Sequence, residues 1–235
     1  GYSSTSFIRT NGLISDGGVR KSYPSGPLSF TFPVGCLAKY TRAVINVTAN
    51  GAEGTITVVP VNSKHYCTTN NGDYQLNYYW HVTNTGFSGL TVSHSYYYQQ
   101  TDVTGNEYNY YGGRFYNGAW TTGPLVDYSN NIINFPGVGY IVGDYTAGYT
   151  SEFQPILTYY SRNATLGGNW SNVNTWSTVS HAGPAASSTP NGQIVIIASG
   201  HTVVADVNQC RAYTLTLNGT ALLNLNNTIG HDLGL

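Results

Sequence analysis

The residues of this sequence that are best suited to chemistry are aromatic, and they are concentrated between residues 96 and 120. Six of them form the predicted binding surface: Tyr96, Tyr98, Tyr108, Tyr110, Tyr116 and Trp120. An exposed tyrosine or tryptophan offers a flat apolar area with a polar tip, which suits a sugar ring or a protein partner. The alternative, which the sequence leaves open, is that these rings form cross-strand ladders that stabilise a sheet.

Carboxylates are few and scattered. The 10 acidic residues include no Asp-x-Asp motif and no adjacent glutamates, whereas hydrolysis of a glycosidic bond needs two carboxyl groups about 5–10 Å apart. Spacing alone leaves open that distant carboxylates meet in the fold. Residues 70–73, Asn-Asn-Gly-Asp, are more typical of a turn than of a calcium loop. We therefore expect no catalytic residue, no metal and no cofactor.

The histidines give a weak indication of a metal site. His81 and His94 fall in two predicted strands that would be neighbours, and a pair of imidazoles is one way to bind a metal. A histidine that lies on a sheet face and bonds to a tyrosine or serine is the more common arrangement. His201 follows a Ser-Gly turn, where we expect it to cap backbone groups.

The three cysteines are Cys36, Cys67 and Cys210, so at least one of them is unpaired within the chain. No Cys-x-x-Cys motif is present, and no cysteine–histidine spacing matches a zinc site. We interpret the cysteines as small buried apolar residues. A Cys36–Cys67 disulfide is the alternative in oxidising surroundings.

The composition excludes several classes of protein. Only 8% of the 235 residues are charged and the net charge is −1, so the chain lacks the basic surface that binds nucleic-acid phosphates. Hydrophobic residues make up 40% of the chain, which is enough to build a core. No apolar run reaches the length of about 20 residues that crosses a bilayer as a helix. We therefore expect no nucleic-acid partner and no membrane span.

Short alternating segments dominate residues 28–162, and none shows the 3.6-residue period of a helix. Residues 41–49 and 54–61 alternate on either side of Asn50-Gly51, which predicts a β-hairpin. Other strands are predicted in residues 28–35, 74–83, 90–100, 107–120 and 126–148, the last range holding two strands joined at Pro136-Gly137. Residues 156–162 are either the last strand or a linker. This number of short strands predicts an antiparallel β-sandwich.

Residues 168–230 have a different character, with a Trp-x5-Trp pair followed by short aliphatic strands that Gly, Asn or Asp interrupt. Closely spaced short strands of this kind are typical of a sandwich, a barrel or a β-solenoid. The order of residues resembles the opening of a right-handed parallel β-helix. The residues that carry this resemblance are Trp170, 175–177 (Thr-Trp-Ser), Pro190, Val195, Ile197, 199–203 (Ser-Gly-His-Thr-Val), Cys210, Leu215 and Leu217.

This pattern is similar to G8-type domains in large secreted surface proteins of Bacteroidota, the kind exported by the type IX pathway. The first part of the chain resembles a β-sandwich module of the same class of proteins. That resemblance rests on residues 18–21, 30–35 (Phe-Thr-Phe-Pro-Val-Gly), Tyr40, 78–80, 143–148 and 158–162. The two resemblances imply an all-β protein with an antiparallel β-sandwich in residues 1–160 and the opening coils of a β-solenoid in residues 161–235. They imply architecture and location, and no catalytic residue.

We make one further prediction for each end of residues 161–235. We expect Trp170 and Trp176 to be buried and to cap the first turn of the solenoid, because an uncapped end exposes apolar side chains and strand edges. Residues 229–235 are largely apolar, with no Lys, Arg or Pro. We expect adjacent modules of a longer chain, or copies of this one, to cover that end, and head-to-tail contacts between copies would build a filament.

These observations predict a non-catalytic structural or adhesive module of a secreted bacterial cell-surface protein. The alternative is a carbohydrate-binding module of a larger secreted enzyme, which would hold surface glycans on the aromatic residues. Both hypotheses place the chain outside the cell. Binding of a defined polysaccharide in a glycan array favours the second hypothesis.

Overall fold

The computed structural model describes residues 2–68, 74–207 and 210–225. In these ranges the protein is all-β, as the sequence predicted, with four short 3₁₀ turns and no α-helix. None of its helices is long and apolar enough to cross a membrane in the residues described. The chain divides into two compact units, one comprising Gly1–His65 and Asn70–Gln154 and the other Tyr66–Thr69 and Pro155–Leu235.

The strands of the first unit are β1 (Ile8–Thr10), β2 (Val19–Tyr23), β3 (Leu28–Phe32), β4 (Val34–Cys36), β5 (Lys39–Tyr40), β6 (Ala43–Ala49), β7 (Gly54–Val61), β8 (Tyr79–Thr85), β9 (Thr91–Tyr97), β10 (Tyr111–Tyr116), β11 (Ala119–Leu125), β12 (Ile132–Val138) and β13 (Gly143–Gly148). Its 3₁₀ helices are Gln100–Asp102, Glu107–Asn109 and Thr150–Glu152. Two antiparallel sheets dominate, a six-stranded sheet in the order β11-β10-β13-β8-β7-β2 and a four-stranded sheet in the order β12-β9-β6-β3. A smaller sheet joins β1, β4 and β5.

The six-stranded and four-stranded sheets share one core. Tyr96 of β9 stacks on Tyr145 of β13, with ring centroids 4.7 Å apart, and lies 5.3 Å from the ring of Trp80 of β8. All three side chains are fully buried. Each large aromatic side chain removed from water contributes about 1.5–3 kcal/mol, so these contacts between sheets are a principal source of the unit's stability.

The predicted hairpin at Asn50-Gly51 is wrong. Strand β6 belongs to the four-stranded sheet and β7 to the six-stranded sheet, so the chain crosses from one sheet to the other between them. The connecting segment bonds to other parts of the chain. The Asn50 side chain donates to the carbonyl of Pro24, and the backbone N–H of Gly51 donates to the carbonyl of Ser88. A turn signal between two alternating segments is the same for a hairpin and for a crossover between sheets.

Two other connections differ from the prediction. Pro136 and Gly137 do not join two strands, because both lie within β12 at an irregular register between Phe135 and Val138. A two-residue hairpin lies between β10 and β11, where Asn117 and Gly118 both have positive φ angles (50° and 74°). Asn-Gly is the dipeptide that such two-residue turns prefer.

The strands of the second unit are β14 (Thr158–Ser161), β15 (Gly167–Asn169), β16 (Trp176–Ser177), β17 (Gln193–Ile197), β18 (Thr202–Ala205), β19 (Ala212–Leu217) and β20 (Leu222–Leu225), with a 3₁₀ helix at Val173–Thr175. They form a four-stranded sheet in the order β16-β14-β17-β19 and a three-stranded sheet in the order β15-β18-β20. Residues 156–162 therefore contain a strand, β14, which belongs to a sheet of the second unit. Apart from Tyr66–Thr69, the second unit begins at Pro155, which comes before the predicted boundary at residue 160.

The pairing in the second unit follows a simple rule. Except for β16, neighbouring strands are parallel, and successive strands alternate between the two sheets. The later pairs repeat at one interval, since Ile194 lies opposite Thr214 and Thr202 lies opposite Leu222, each twenty residues further along the chain. Val195, Ile197, Val203 and Ala205 point into the shared core with the two tryptophans.

Candidate binding site

Three of the six predicted binding residues do not lie on the surface. Tyr96 and Tyr110 are 0% exposed, so the expectation that they form a binding surface is wrong; Tyr98 is 2% exposed and borders the surface at the depression described below. Each is used inside the fold: Tyr96 packs between the sheets, the Tyr98 hydroxyl donates to Glu107 (2.9 Å), and the Tyr110 hydroxyl donates to the carbonyl of Thr104 (2.5 Å).

The other three predicted residues retain some exposure but face different neighbours. Tyr108 is 60% exposed and packs against Tyr128, whereas Tyr116 is 50% exposed and lies over the Arg114 guanidinium. Trp120 is partly buried against Phe115. The six residues therefore do not form a single aromatic surface.

The tyrosine that faces outward from β9 is Tyr97, which the prediction omitted. It lies opposite Ile132 of β12, and its backbone N–H donates to the carbonyl of Arg42, just before β6. Because side chains alternate between the two faces of a strand, the burial of Tyr96 places Tyr97 on the outer face. Arg42, Tyr97 and Ile132 thus form one outward-facing row across three adjacent strands.

This row lines an open depression of about 790 Å³, which we call the Tyr97 depression. Its lining residues are mainly aromatic side chains, amides and hydroxyls, namely Ser4, Tyr40, Arg42, Tyr97, Tyr98, Gln99, Gln100, Ser129, Asn130, Asn131 and Ile132. Its volume lies in the range typical of small-molecule sites in proteins, about 300–1,000 Å³.

The amides of the depression are held in place by hydrogen bonds to the surrounding structure. The Gln99 Nε2 group donates to the carbonyl of Tyr40 (2.8 Å), and the Gln100 Nε2 group donates to Glu107 (3.1 Å). The Asn131 Nδ2 group in turn donates to Gln100 Oε1 (3.3 Å). These bonds fix the donors and leave amide oxygens, including Gln99 Oε1, to accept from a ligand.

Two further features mark this end of the sheet as unusual. Asn131 has a φ of 56°, a left-handed conformation that asparagine adopts in turns more readily than most residues. Burial, together with the hydrogen bond to Glu107, raises the pKa of Tyr98 well above its usual range. The Tyr98 hydroxyl therefore stays protonated and keeps Glu107 in place behind the amides.

Arg42 is the charged residue among those that line the depression. Its guanidinium lies 3.7 Å from the centroid of the Tyr97 ring and 5.8 Å from that of Tyr40. Within the described ranges its side chain makes no hydrogen bond and no salt bridge, and its charge lies over these two rings. A cation–π interaction of this kind is worth about 0.5–1 kcal/mol at an exposed site.

The outer face continues away from the depression as a polar surface without charged side chains. Outward-facing residues of the four-stranded sheet beyond the row are Ser29, Thr31, Val44, Asn46, Thr48, Thr91, Ser93, Ser95 and Asn134. Ser95 donates to Asn134 Oδ1 (2.7 Å), and Ser93 accepts from the backbone N–H of Gly137 (3.0 Å). Hydroxyls and amides of this kind suit a ligand that is itself rich in hydroxyls.

A second group of polar residues lies in the six-stranded sheet and was not predicted. The N–H groups of His65 and His81 donate to the two oxygens of Asp144, at 2.9 and 2.5 Å. Burial alone would raise the pKa of Asp144, but these two hydrogen bonds hold it below its usual value. The same contact raises the pKa of His81. His65 is buried against the rings of Tyr79, Phe115 and Trp120, so this group ties β8 and β13 together.

A third group surrounds Cys36. Lys39 forms a salt bridge with the buried Asp102, and the Cys36 thiol donates to the Tyr78 hydroxyl at 3.5 Å. Burial raises the pKa of Cys36, which keeps it in the unreactive thiol form. Cys36 is a free thiol, so the alternative of a Cys36–Cys67 disulfide is not realised, and all three cysteines are buried.

The other predicted histidine arrangements are not observed. His81 lies in the six-stranded sheet and His94 in the four-stranded sheet, so they are not cross-strand neighbours. The His201 ring bonds to the Ser161 hydroxyl (2.7 Å) and to no backbone group among the described residues. The proposed turn at residues 70–73 lies outside the described residues. In the part of the chain that is described, no three His, Cys, Asp or Glu side chains are grouped as metal ligands.

Trp170 and Trp176 are both buried, as expected. Their rings are 5.2 Å apart in an edge-to-face arrangement, the Trp176 indole donates to the carbonyl of Trp170 (2.8 Å), and the Trp170 indole donates to that of Pro190 (3.0 Å). Their role as a cap stays a prediction. The apolar segment at residues 229–235 lies outside the described residues.

Comparison with known proteins gives no match for this chain, whether against protein families, curated proteins or solved structures.

Proposed function

We propose that this chain is a non-catalytic adhesive module of a secreted bacterial cell-surface protein, and that it binds carbohydrate in the Tyr97 depression. The observation that carries the proposal is the convergence of the Arg42–Tyr97 stack with oriented amides at one end of a polar sheet face. The proposal combines the two hypotheses from the sequence: the module is adhesive, and it adheres by binding glycans.

The chemistry of the depression favours a sugar over an apolar ligand. A sugar presents hydroxyls that both donate and accept, and Gln99, Gln100, Asn130 and Asn131 offer both kinds of partner. Tyr40 and Tyr97 add flat apolar area for the C–H face of a sugar ring. The carboxylates nearest to the lining are already engaged, since Glu107 accepts from Tyr98 and Gln100, and Asp127 accepts from Asn130. They orient the amides instead of acting on a substrate.

We infer that the two units are a β-sandwich and the opening coils of a β-solenoid. Support for the first is the common core of the two antiparallel sheets. Support for the second is the alternation of successive strands between two parallel sheets with an interval of twenty residues. The resemblance to modules of type IX-secreted surface proteins of Bacteroidota rests on the same residues as before and agrees with this order of units.

A second role, assembly with copies of itself or with adjacent modules, is favoured by one observation. Leu217, Leu222 and Leu225 on β19 and β20 are between 41% and 59% exposed. These strands are the outermost of their sheets in the ranges that the structure describes. Exposed leucines on an outer strand are suited to pairing with another segment.

The carbohydrate proposal is tested by a glycan array with the full chain and two variants. We expect binding to a defined set of glycans, and a loss of about tenfold or more in affinity with Tyr97→Ala, as for removal of an aromatic contact at the centre of a binding site. The matched control is Tyr108→Ala, because Tyr108 is equally aromatic, highly exposed and absent from the depression. Binding that is equal in Tyr97→Ala and wild type, or no binding to any glycan, would contradict the proposal.

A further inference from the structure

The guanidinium of Arg42 packs on two aromatic rings but has no ion-pair or hydrogen-bond partner within the described residues. Every other residue that lines the Tyr97 depression is uncharged at neutral pH. Other partly buried cations have polar partners: Lys39 pairs with Asp102, and the guanidinium groups of Arg114 and Arg162 donate to backbone carbonyls. Arg42 is partly buried, yet its contacts in the described residues are with the faces of Tyr97 and Tyr40.

We propose that the Tyr97 depression selects acidic saccharides, those that carry a uronic acid, and that Arg42 binds the sugar carboxylate. This inference rests on the proposed function and narrows the class of glycan.

The stacking geometry leaves the donors of Arg42 available. The Arg42 Cζ atom lies over the Tyr97 ring, 3.7 Å from its centroid, and a guanidinium stacked on a ring keeps its N–H groups at the edge of its plane. Five donors in a planar fork match the two oxygens of a carboxylate, and such bidentate, charge-assisted bonds are stronger than bonds between neutral groups. A lysine at this position would supply the charge but neither the fork nor the stacking.

Groups near Arg42 can bind the hydroxyls of an acidic sugar while Arg42 binds its carboxylate. Gln99 Oε1 is left to accept from a ring hydroxyl, because Gln99 uses its amide nitrogen to bond with the Tyr40 carbonyl. The two nearby carboxylates do not compete for the guanidinium. Glu107 accepts from Tyr98 and Gln100, and both oxygens of Asp127 accept from Asn130.

The experiment compares three oligosaccharides by isothermal titration calorimetry with the full chain. Trigalacturonate carries the carboxylates, its fully methyl-esterified form has the same sugars without charge, and cellotriose is a neutral saccharide with a different backbone. We expect trigalacturonate to bind at least about tenfold more tightly than its methyl ester, as for loss of a hydrogen-bonded charge pair. Raising the salt concentration from 50 to 500 mM should reduce this difference, because exposed charges are then screened.

Variants assign the difference to Arg42. We expect Arg42→Gln to bind trigalacturonate and its methyl ester equally, and Arg42→Lys to retain only part of the preference. Arg20→Gln removes the same charge from an exposed position on β2, in the other sheet, and should bind as the wild type does.

The outcomes separate the inference from the proposed function. If the chain binds cellotriose, the ester or another neutral glycan as tightly as trigalacturonate, carbohydrate binding stands and selection by Arg42 is overturned. The same holds if Arg42→Gln keeps the full preference for the acid. If no saccharide binds, both the inference and the proposed function are overturned.

Discussion

His94 is buried among aromatic rings and contrasts with His81, which bonds to a carboxylate. The His94 ring stacks on Phe135, with centroids 5.0 Å apart, and lies edge-on to Tyr96 and Tyr145. Burial, with a smaller contribution from the positive charge of Arg114, lowers the pKa of His94 to about 3. The two histidines therefore act on stability in different pH ranges. His81, whose pKa is raised, stabilises the fold below the ordinary value of 6.5, and this contribution is lost as the pH rises through its folded value.

We predict that the first unit loses stability as the pH falls below 6.5, and that His94→Phe abolishes this loss. The unfolded chain takes up a proton at His94 near pH 6.5, whereas the folded protein does not until about pH 3. The free energy of unfolding should then decrease by about 1.4 kcal/mol per pH unit, or about 2 kcal/mol between pH 6.5 and 5. Urea denaturation followed by circular dichroism at pH 7.5, 6.5 and 5 measures it.

The control is His81→Gln, which should keep the slope between pH 6.5 and 5, because the His81 contribution changes only at higher pH. A slope in His94→Phe equal to that of the wild type would show that another group causes the loss.

The candidate site shows how much single residues reveal in the sequence. In residues 96–98 the prediction selected Tyr96 and Tyr98, which face the core, and omitted Tyr97, which faces outward. The preceding residues contained the missing information. Val92, His94 and Tyr96 alternate with Ser93, Ser95 and Tyr97, so the polar series indicates the outer face. The position of Arg42 beside Tyr97 depends on pairing between distant strands, which no local pattern specifies.

At the scale of elements, strand positions followed from local patterns and strand partners did not. Alternation located β6, β7 and β9 to within a few residues. The partners of β6 and β7 lie in different sheets because burial of their apolar faces requires two layers, and a local turn signal carries no information on layers. The Asn117-Gly118 turn is the converse case, because the dipeptide was present in the sequence and a local rule would have identified the β10–β11 hairpin.

The tryptophan pair gives the prediction at this scale. Trp176→Ala should lower the free energy of unfolding of the second unit by about 3–5 kcal/mol, because it removes a fully buried ring and its hydrogen bond to Trp170. Chemical denaturation followed by tryptophan fluorescence measures this change in a background in which Trp80 and Trp120 of the first unit are replaced by Phe in both the variant and its reference. Val179→Ala is the control, since Val179 is 67% exposed in the segment that follows Trp176. A denaturation midpoint equal to that of the wild type in Trp176→Ala would exclude a structural role for the pair.

At the scale of the whole molecule, the small number of charged residues favours apolar contacts between copies of the protein. Only 8% of the residues are charged and the net charge is −1, so little electrostatic repulsion keeps copies apart. The exposed leucines of β19 and β20 add apolar surface at the outer strands. Charge and exposed apolar area thus both favour association.

We predict that the chain of residues 1–235 self-associates through these leucines. Size-exclusion chromatography with light scattering should show a mass that rises with protein concentration, and the double variant Leu222→Lys with Leu225→Lys should remain a monomer. The added charges repel a second copy and oppose pairing at an edge. Tyr108→Lys is the control, because it adds a charge at a highly exposed position in the first unit. A wild-type monomer at every concentration would argue against assembly.

The two-residue period of the four-stranded sheet has an evolutionary consequence. Positions such as Ala43, Tyr96 and Ile133 fill the core, while their immediate neighbours Arg42, Tyr97 and Ile132 face outward. The same strands therefore carry two sets of residues, one that builds the core and one that, under the proposed function, contacts the ligand. Under that proposal, substitutions in the outer set can change the ligand while the inner set, and with it the fold, is kept.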